Sequence, residues 1–201
     1  DVLSQVKAFE LDGTPLRDIG LPGIGSADGF SGRQNATETF FSFTSYVAPA
    51  SIFRLDLETG KSTLIRQPEV EFDRSLYESR QAFYTSKDGT RVPIIVSHRK
   101  GLELNGEQPT LLYGYGGFDI SLSPYFSVAY ATWMEMGGVV AVPNLRGGGE
   151  YGEEWHQAGK KLNKQNVFDD FIAAAEYLIR ENYTSSAGST LSRAFPSGAC
   201  M

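Results

Sequence analysis

The sequence predicts an α/β domain preceded by an antiparallel β meander. Three observations carry this reading: period-2 alternation with turn residues from Val2 to Arg66, continuous apolar runs in "PTLLYGYG" and "GGVVAVPNLRGGG", and a helical apolar stripe in "NVFDDFIAAAEYLIREN". The 201 residues can bury a sizeable core, and 41% apolar with 21% charged residues is ordinary for a globular chain.

In the meander, "VKAFELDGTPLRDI" places Asp12-Gly13 between two alternating runs, a hairpin cue because glycine takes the positive φ the turn needs. "ETFFSFTSYVAP" puts Phe41 and Phe43 on one face, Phe40 and Tyr46 on the other. "SIFRLDLETGKSTLIRQP" sets Phe53, Leu55 and Leu57 on one face, turns at Glu58-Thr59-Gly60 and returns to Arg66. Five short strands in about 65 residues fit roughly one and a half four-stranded propeller blades, or an edge piece of another sheet.

The polar stretch "RQPEVEFDRSLYES" marks a boundary. A further hairpin follows, turning at Lys87-Asp88-Gly89 with Val92, Ile94 and Val96 alternating, and His98 is expected as an exposed strand-end residue. The apolar runs after Pro109 read as strands buried on both faces, the mark of a parallel sheet covered by helices. "SPYFSVAYATWMEMG" is expected as a helix through Phe126, Tyr130 and Trp133/Met134, ended by Gly137. In the last helix Asn166 is the expected N-cap, with Asp169 at N3 and Asp170 beside it. Phe168, Phe171, Ile172, Ala175, Leu178 and Ile179 form its core stripe.

Composition excludes several functions. A net charge of −6 without a Lys/Arg-rich block disfavours nucleic acid and anionic membranes as partners. Cys200 is the only cysteine, so no intrachain disulfide is possible, and His98 and His156 stand outside any metal-ligand spacing, so a metal site is poorly supplied. No run approaches the ~20 apolar residues of a membrane span. The opening "DVLSQVKAFE" starts in strand-like alternation, as the interior of a larger protein would.

Two glycine-rich loops follow strands, Gly114–Phe118 and Gly147–Gly149. Neither has the spacing of a dinucleotide fingerprint or a Walker A loop. Ligands of open α/β sheets sit beyond the carboxyl ends of the strands, where a hydrolase holds its oxyanion donors. A tyrosine hydroxyl can be such a donor, and glycines leave room for substrate. The alternative is that Tyr113 and Tyr115 are half-buried aromatics capping the sheet.

"PTLLYGYGGFDISLSPYFS", "MGGVVAVPNLRGGGEYGEEWHQAGKKLNKQNVFDDFIAAAEYLI" and "FYTSKDGTRVPI" closely resemble the prolyl oligopeptidase family of serine peptidases, from near the start of the chain to about Tyr183-Thr184. "YGYGGF" points to the prolyl rather than the oligopeptidase B branch. The resemblance implies a partial, mostly parallel α/β-hydrolase sheet with helices, preceded by antiparallel strands from the end of a seven-bladed β-propeller. The expected divisions are 1–70 for the propeller part, 71–184 for the peptidase part and 185–201 for a non-family tail. Tyr115 corresponds to the oxyanion-hole tyrosine and Phe118 to a phenylalanine lining the proline pocket. Arg146 and Glu150 lie in a signature loop, a candidate part of the active site with no assigned step, and His156 matches a family histidine that is not the catalytic one. The resemblance implies no metal or organic cofactor. The family cleaves short proline-containing peptides; a monomeric parent is expected, cytoplasmic, with the periplasm as the alternative.

The family's nucleophile elbow does not follow. After the helix the chain reads "YTSSAGSTLSRAFPSGACM", and no serine among the 201 residues has glycine two before and two after it. The triad Asp and His of the family come later still. The expectation is a piece of a serine endopeptidase, cut by a shifted frame or truncated gene and inactive by itself. The rival expectation is a noncatalytic binding module built on the same scaffold.

Overall fold

Alternation in the first third produces six strands: β1 (Val6–Phe9), β2 (Pro15–Ile19), β3 (Ser26–Ser31), β4 (Glu38–Ser45), β5 (Ala48–Asp56) and β6 (Ser62–Arg66). The computed structural model describes residues 2–186 and 190–194. β1 and β2 form an antiparallel hairpin, and β3-β4-β5-β6 a four-stranded antiparallel sheet. Gly13 and Gly60, at φ 88° and 72°, make the two expected turns. The sixth strand, β3, escaped the sequence reading because "SADGFS" carries one large apolar residue and an internal glycine.

One side of this sheet is the core of the meander. Phe41, Phe43, Phe53 and Leu55 are buried as expected, while Leu57 is exposed beyond the end of β5. A bulge between Gly29 and Ser31 holds Phe30 at φ 49°, and its ring stacks on Phe41 at 4.8 Å. Phe41 in turn stacks on Phe53 at 5.3 Å.

The second compact unit comprises residues 75–122 and the described residues from 129 to 186 and 190 to 194, whereas 123–128 belong with residues 2–74. Phe126 was expected on a helix. Its backbone N–H instead donates to Thr44 Oγ1 at 3.1 Å and its ring lies 5.8 Å from Phe72. Helix α1 therefore begins only at Val128 and runs to Glu135, burying Tyr130 and Met134, and Gly137 at φ 90° ends it as expected.

Strands β7 (Tyr77–Thr85), β8 (Arg91–Arg99), β9 (Thr110–Gly114), β10 (Val139–Pro143) and β11 (Thr190–Ala194) form one sheet in the order β11-β9-β10-β8-β7. The expectation of a mostly parallel sheet needs correction. β9 is parallel to β10 and to β11, but β8 is antiparallel to both β7 and β10. The tight turn at Lys87-Asp88-Gly89 enforces the β7–β8 pairing, since parallel neighbours need a long crossover. β8 is also buried on both faces, Pro93, Ile95 and Ser97 included, rather than alternating. β10 is buried throughout, while on β9 Leu111 and Tyr113 remain half-buried. His98 is buried, not exposed: its Nδ1 donates to the Arg99 carbonyl at 2.9 Å and its ring lies 5.9 Å from Tyr183.

After β10 come the short helix α2 (Glu153–Gln157), a 3₁₀ turn at Lys161–Asn163, and α3 (Gln165–Arg180). Asn166 is not the N-cap. The chain enters α3 already wound by the 3₁₀ turn, and Asn166 Nδ2 donates to the Ala158 carbonyl at 2.8 Å. Asp169 consequently lies beyond N3 and accepts from Gln165 Nε2 at 3.0 Å. The core stripe is turned by one residue, about 100°. Of the expected stripe Leu178 is buried and Phe171 and Ala175 pack against the core, whereas Phe168, Ile172 and Ile179 are exposed and Val167, Asp170, Ala174 and Tyr177 face in instead.

The strand β11 is a further departure, because the composition of the expected tail, 185–201, signalled none. The remainder of that tail, residues 187–189 and 195–201 with Cys200, lies outside the described residues. No helix among the described residues is long and apolar enough to cross a membrane.

Leu112 is fully buried between the strands and α3. Leu112→Ala is expected to cost about 3 kcal/mol. The check is a urea titration followed by tryptophan fluorescence, since both tryptophans, Trp133 and Trp155, lie in this unit.

Candidate active site

β9 delivers the chain into Tyr113–Phe118, and β10 delivers it into Asn144–Glu150. The two strands are parallel, so both loops leave the same edge of the sheet. There they pack backbone against backbone. Asp119 N–H donates to the Gly147 carbonyl at 3.2 Å, and a Cβ on Gly149 would stand 2.6 Å from the Asp119 carbonyl oxygen. Gly116 sits at φ 60°, where a Cβ would lie 2.9 Å from the Arg146 carbonyl oxygen and 2.5 Å from Val167. The glycines of both loops thus serve close mutual approach.

The expected site residues fall into one cluster. Tyr115 is half-buried on its loop. Phe118 is 59% exposed at φ 53°, so its ring stands largely in solvent. Glu150 is buried and reaches back across the loops, its Oε1 accepting from Leu122 N–H at 3.1 Å and from Asn144 Nδ2 at 3.4 Å. Burial pushes its carboxyl pKa up, and these donors only partly offset that. His156 donates from Nδ1 to the Gly147 carbonyl at 2.7 Å; because a carbonyl only accepts, that nitrogen carries the hydrogen.

Arg146 is turned into the protein. Its Nε and Nη2 engage the Asp170 carboxylate at 3.0 and 2.6 Å, its Nη1 reaches Asp88 at 2.5 Å, and its backbone N–H donates to Asp170 at 3.1 Å. Tyr84 Oη donates to the Asp170 carbonyl at 2.8 Å. One guanidinium therefore joins the loop after β10, the β7–β8 turn and helix α3. Burial works against the charge on Arg146, but its bonds to Asp170 and Asp88 outweigh this and raise its pKa. Asp88, hydrogen-bonded to Arg146, is held at about 2.

Three contributors escaped the sequence reading. Asp88 reads only as a turn residue, and Lys164 carries no reading of its own. Asp170 reads as an acidic residue at the helix N-terminus, and the expected stripe of Phe168, Phe171, Ile172, Ala175, Leu178 and Ile179 lies on the other side of the helix, so nothing in the sequence signals its burial.

Comparison with known proteins follows the same geometry. The family model described as "Prolyl oligopeptidase, N-terminal beta-propeller domain" matches residues 1–68, and that of the "Prolyl oligopeptidase family" matches 124–190. The chain is 53% identical over 185 residues to a prolyl endopeptidase of Elizabethkingia miricola, covering 92% of this chain and 26% of that protein. The chain belongs to the prolyl oligopeptidase family. A prolyl endopeptidase of Dictyostelium discoideum is 42% identical over 184 residues, 90% of this chain and 24% of that one. Prolyl oligopeptidase B from Galerina marginata, solved bound to a 35mer hydrolysis and macrocyclization substrate, superposes with TM-score 0.85 at 35% identity. That match covers 96% of this chain and 28% of the solved one. The chain thus spans about a quarter of the length of the curated relatives it matches.

The ion network should dominate the stability of this edge. Asp170→Ala strands a buried guanidinium and is expected to cost about 3–5 kcal/mol. Asp88→Ala, at a half-exposed partner, should cost about 1 kcal/mol. Because the folded pKa of Asp88 lies below the ordinary 3.8, its contribution is present above about pH 4 and lost as pH falls through about 2. Urea midpoints measured from pH 5 to pH 2 should show a loss in the parent protein that is reduced in Asp88→Asn.

Proposed function

We propose that these residues form the oxyanion-donor and proline-pocket side of a serine endopeptidase that cleaves short peptides after proline. The observation that carries the reading is the Tyr115–Phe118 loop, at the carboxyl end of β9 and packed against the Arg146–Glu150 loop. In this reading β7–β11 with their helices are the N-terminal part of an α/β-hydrolase domain, and β1–β6 the end of a seven-bladed propeller. The exposed apolar residues Phe40, Ile52 and Leu64 support the propeller assignment, since each blade leans on a neighbour.

In the acyl-enzyme chemistry of such a peptidase, attack on the carbonyl carbon moves an electron pair onto the carbonyl oxygen. Tyr115 Oη donates a hydrogen bond to that oxygen, a neutral donor aimed where charge develops. Phe118 offers a flat apolar face to the proline ring. The nucleophile belongs to a G-x-S-x-G elbow that no serine among these 201 residues occupies, so the polypeptide binds but does not turn over. Its partners are short proline-containing peptides. Phe118 standing in solvent fits a pocket wall that substrate covers.

Two measurements check this. Titration of the labelled chain with a short proline-containing peptide should shift the Tyr115 and Phe118 resonances, and Phe118→Ala should weaken binding about ten-fold. Unchanged affinity would remove Phe118 from the pocket. A fluorophosphonate probe should leave the chain unlabelled, and stoichiometric labelling would overturn the claim that it lacks the nucleophile.

A further inference from the structure

The Tyr115–Phe118 loop is attached at its two ends in ways already described. β9 anchors its start, and Asp119 N–H bonded to Gly147 anchors its exit. At its crown Gly116 is buried at φ 60°, beyond the end of the β9 ladder. A carbonyl so placed needs a donor, because a buried acceptor left unmade costs about 1–3 kcal/mol. Lys164 supplies it: Nζ donates to the Gly116 carbonyl oxygen at 2.9 Å.

This bond is unlike a surface lysine contact. Lys164 is half-buried, and its burial lowers its pKa rather than leaving it at the ordinary value. It stands at the junction where the 3₁₀ turn passes into α3, so its backbone is fixed on both sides, and Val167 one turn later closes on Gly116. The helix is itself docked through Asp170 to Arg146. A rigid element therefore presents an ammonium to the Gly116–Gly117 peptide, one residue beyond Tyr115.

We propose that Lys164 is a positioning residue for the oxyanion tyrosine: by holding the Gly116 carbonyl it fixes the 115–118 backbone, and with it the Tyr115 hydroxyl and the Phe118 ring. Its catalytic meaning rests on the reading of Tyr115 above, while the positioning itself does not.

The test uses the 201-residue chain and two variants. Lys164→Met keeps the aliphatic stem and removes the donor; Lys164→Arg restores a cationic donor. Amide hydrogen exchange is read at Asp119 and Ile120, whose N–H groups close the loop, and at Leu112 and Val140 in the sheet. Lys164→Met should speed exchange at Asp119 and Ile120 about ten-fold or more, move the Gly116 carbonyl ¹³C resonance and leave the sheet amides unchanged. Lys164→Arg should restore most of that protection. Unchanged loop exchange in Lys164→Met, equal acceleration in loop and sheet, or no recovery in Lys164→Arg would each overturn the proposal. The peptide titration is independent: a chain that binds no proline-containing peptide yet passes the exchange test sinks the functional reading and leaves the positioning intact.

Discussion

The Arg146–Asp170 pair is the interaction on which the arrangement of the site edge depends. Asp170 is fully buried, and Arg146 is nearly so, with its carboxylate partners on either side. A buried ion pair contributes little net stability over a well-packed apolar pair, because desolvation consumes most of the Coulomb gain. Its consequence is geometric. Bidentate contact fixes the orientation of the guanidinium plane, and the backbone N–H of Arg146 bonded to the same carboxylate fixes the start of the glycine loop as well. Rotating α3 by one residue would put Phe171 where Asp170 stands and leave the arginine without its buried partner.

From that anchor the remaining contacts follow in sequence. The glycine loop held by Arg146 offers the Gly147 carbonyl to Asp119 and His156, and Glu150 takes the Leu122 N–H. The exit of the Tyr115–Phe118 loop is thereby tied, at Asp119 and Leu122, to the loop after β10. Side chains at 116, 147 or 149 would separate the two backbones, so the glycines are a requirement of close approach and not of phosphate binding. The aromatic residues between them remain half-buried or exposed, which is where a donor and an apolar wall are useful.

The meander obeys a different logic. Its strands are joined by short turns, and its core is a stack of aromatic rings from adjacent strands. The bulge at Phe30 accepts a left-handed φ so that one more ring joins the stack. Phe30 is half-buried and so gains only part of the roughly 1.5–3 kcal/mol of a fully buried phenylalanine, a sum of the same order as the strain of one such residue, about 1–3 kcal/mol.

What the sequence by itself determined was local: turns at Gly13, Gly60 and Lys87–Gly89, the end of α1 at Gly137, alternation in β4 and β5, and loops at the ends of two apolar strands. That Tyr115, Phe118, Arg146 and Glu150 lie on loops following two strands was legible through their motif. Only the tertiary structure decided which face of α3 turns inward, that His98 is buried, that 123–127 lie outside α1, and that β8 pairs antiparallel on both sides. It alone paired Arg146 with residues 24 and 58 positions away, and Lys164 with Gly116, 48 positions back. The reason is physical: periodicity reports which residues share a face, because that is set by the 2.0- and 3.6-residue repeats of the backbone. The partner that a face meets is set by where the chain returns, which no repeat along the backbone reports.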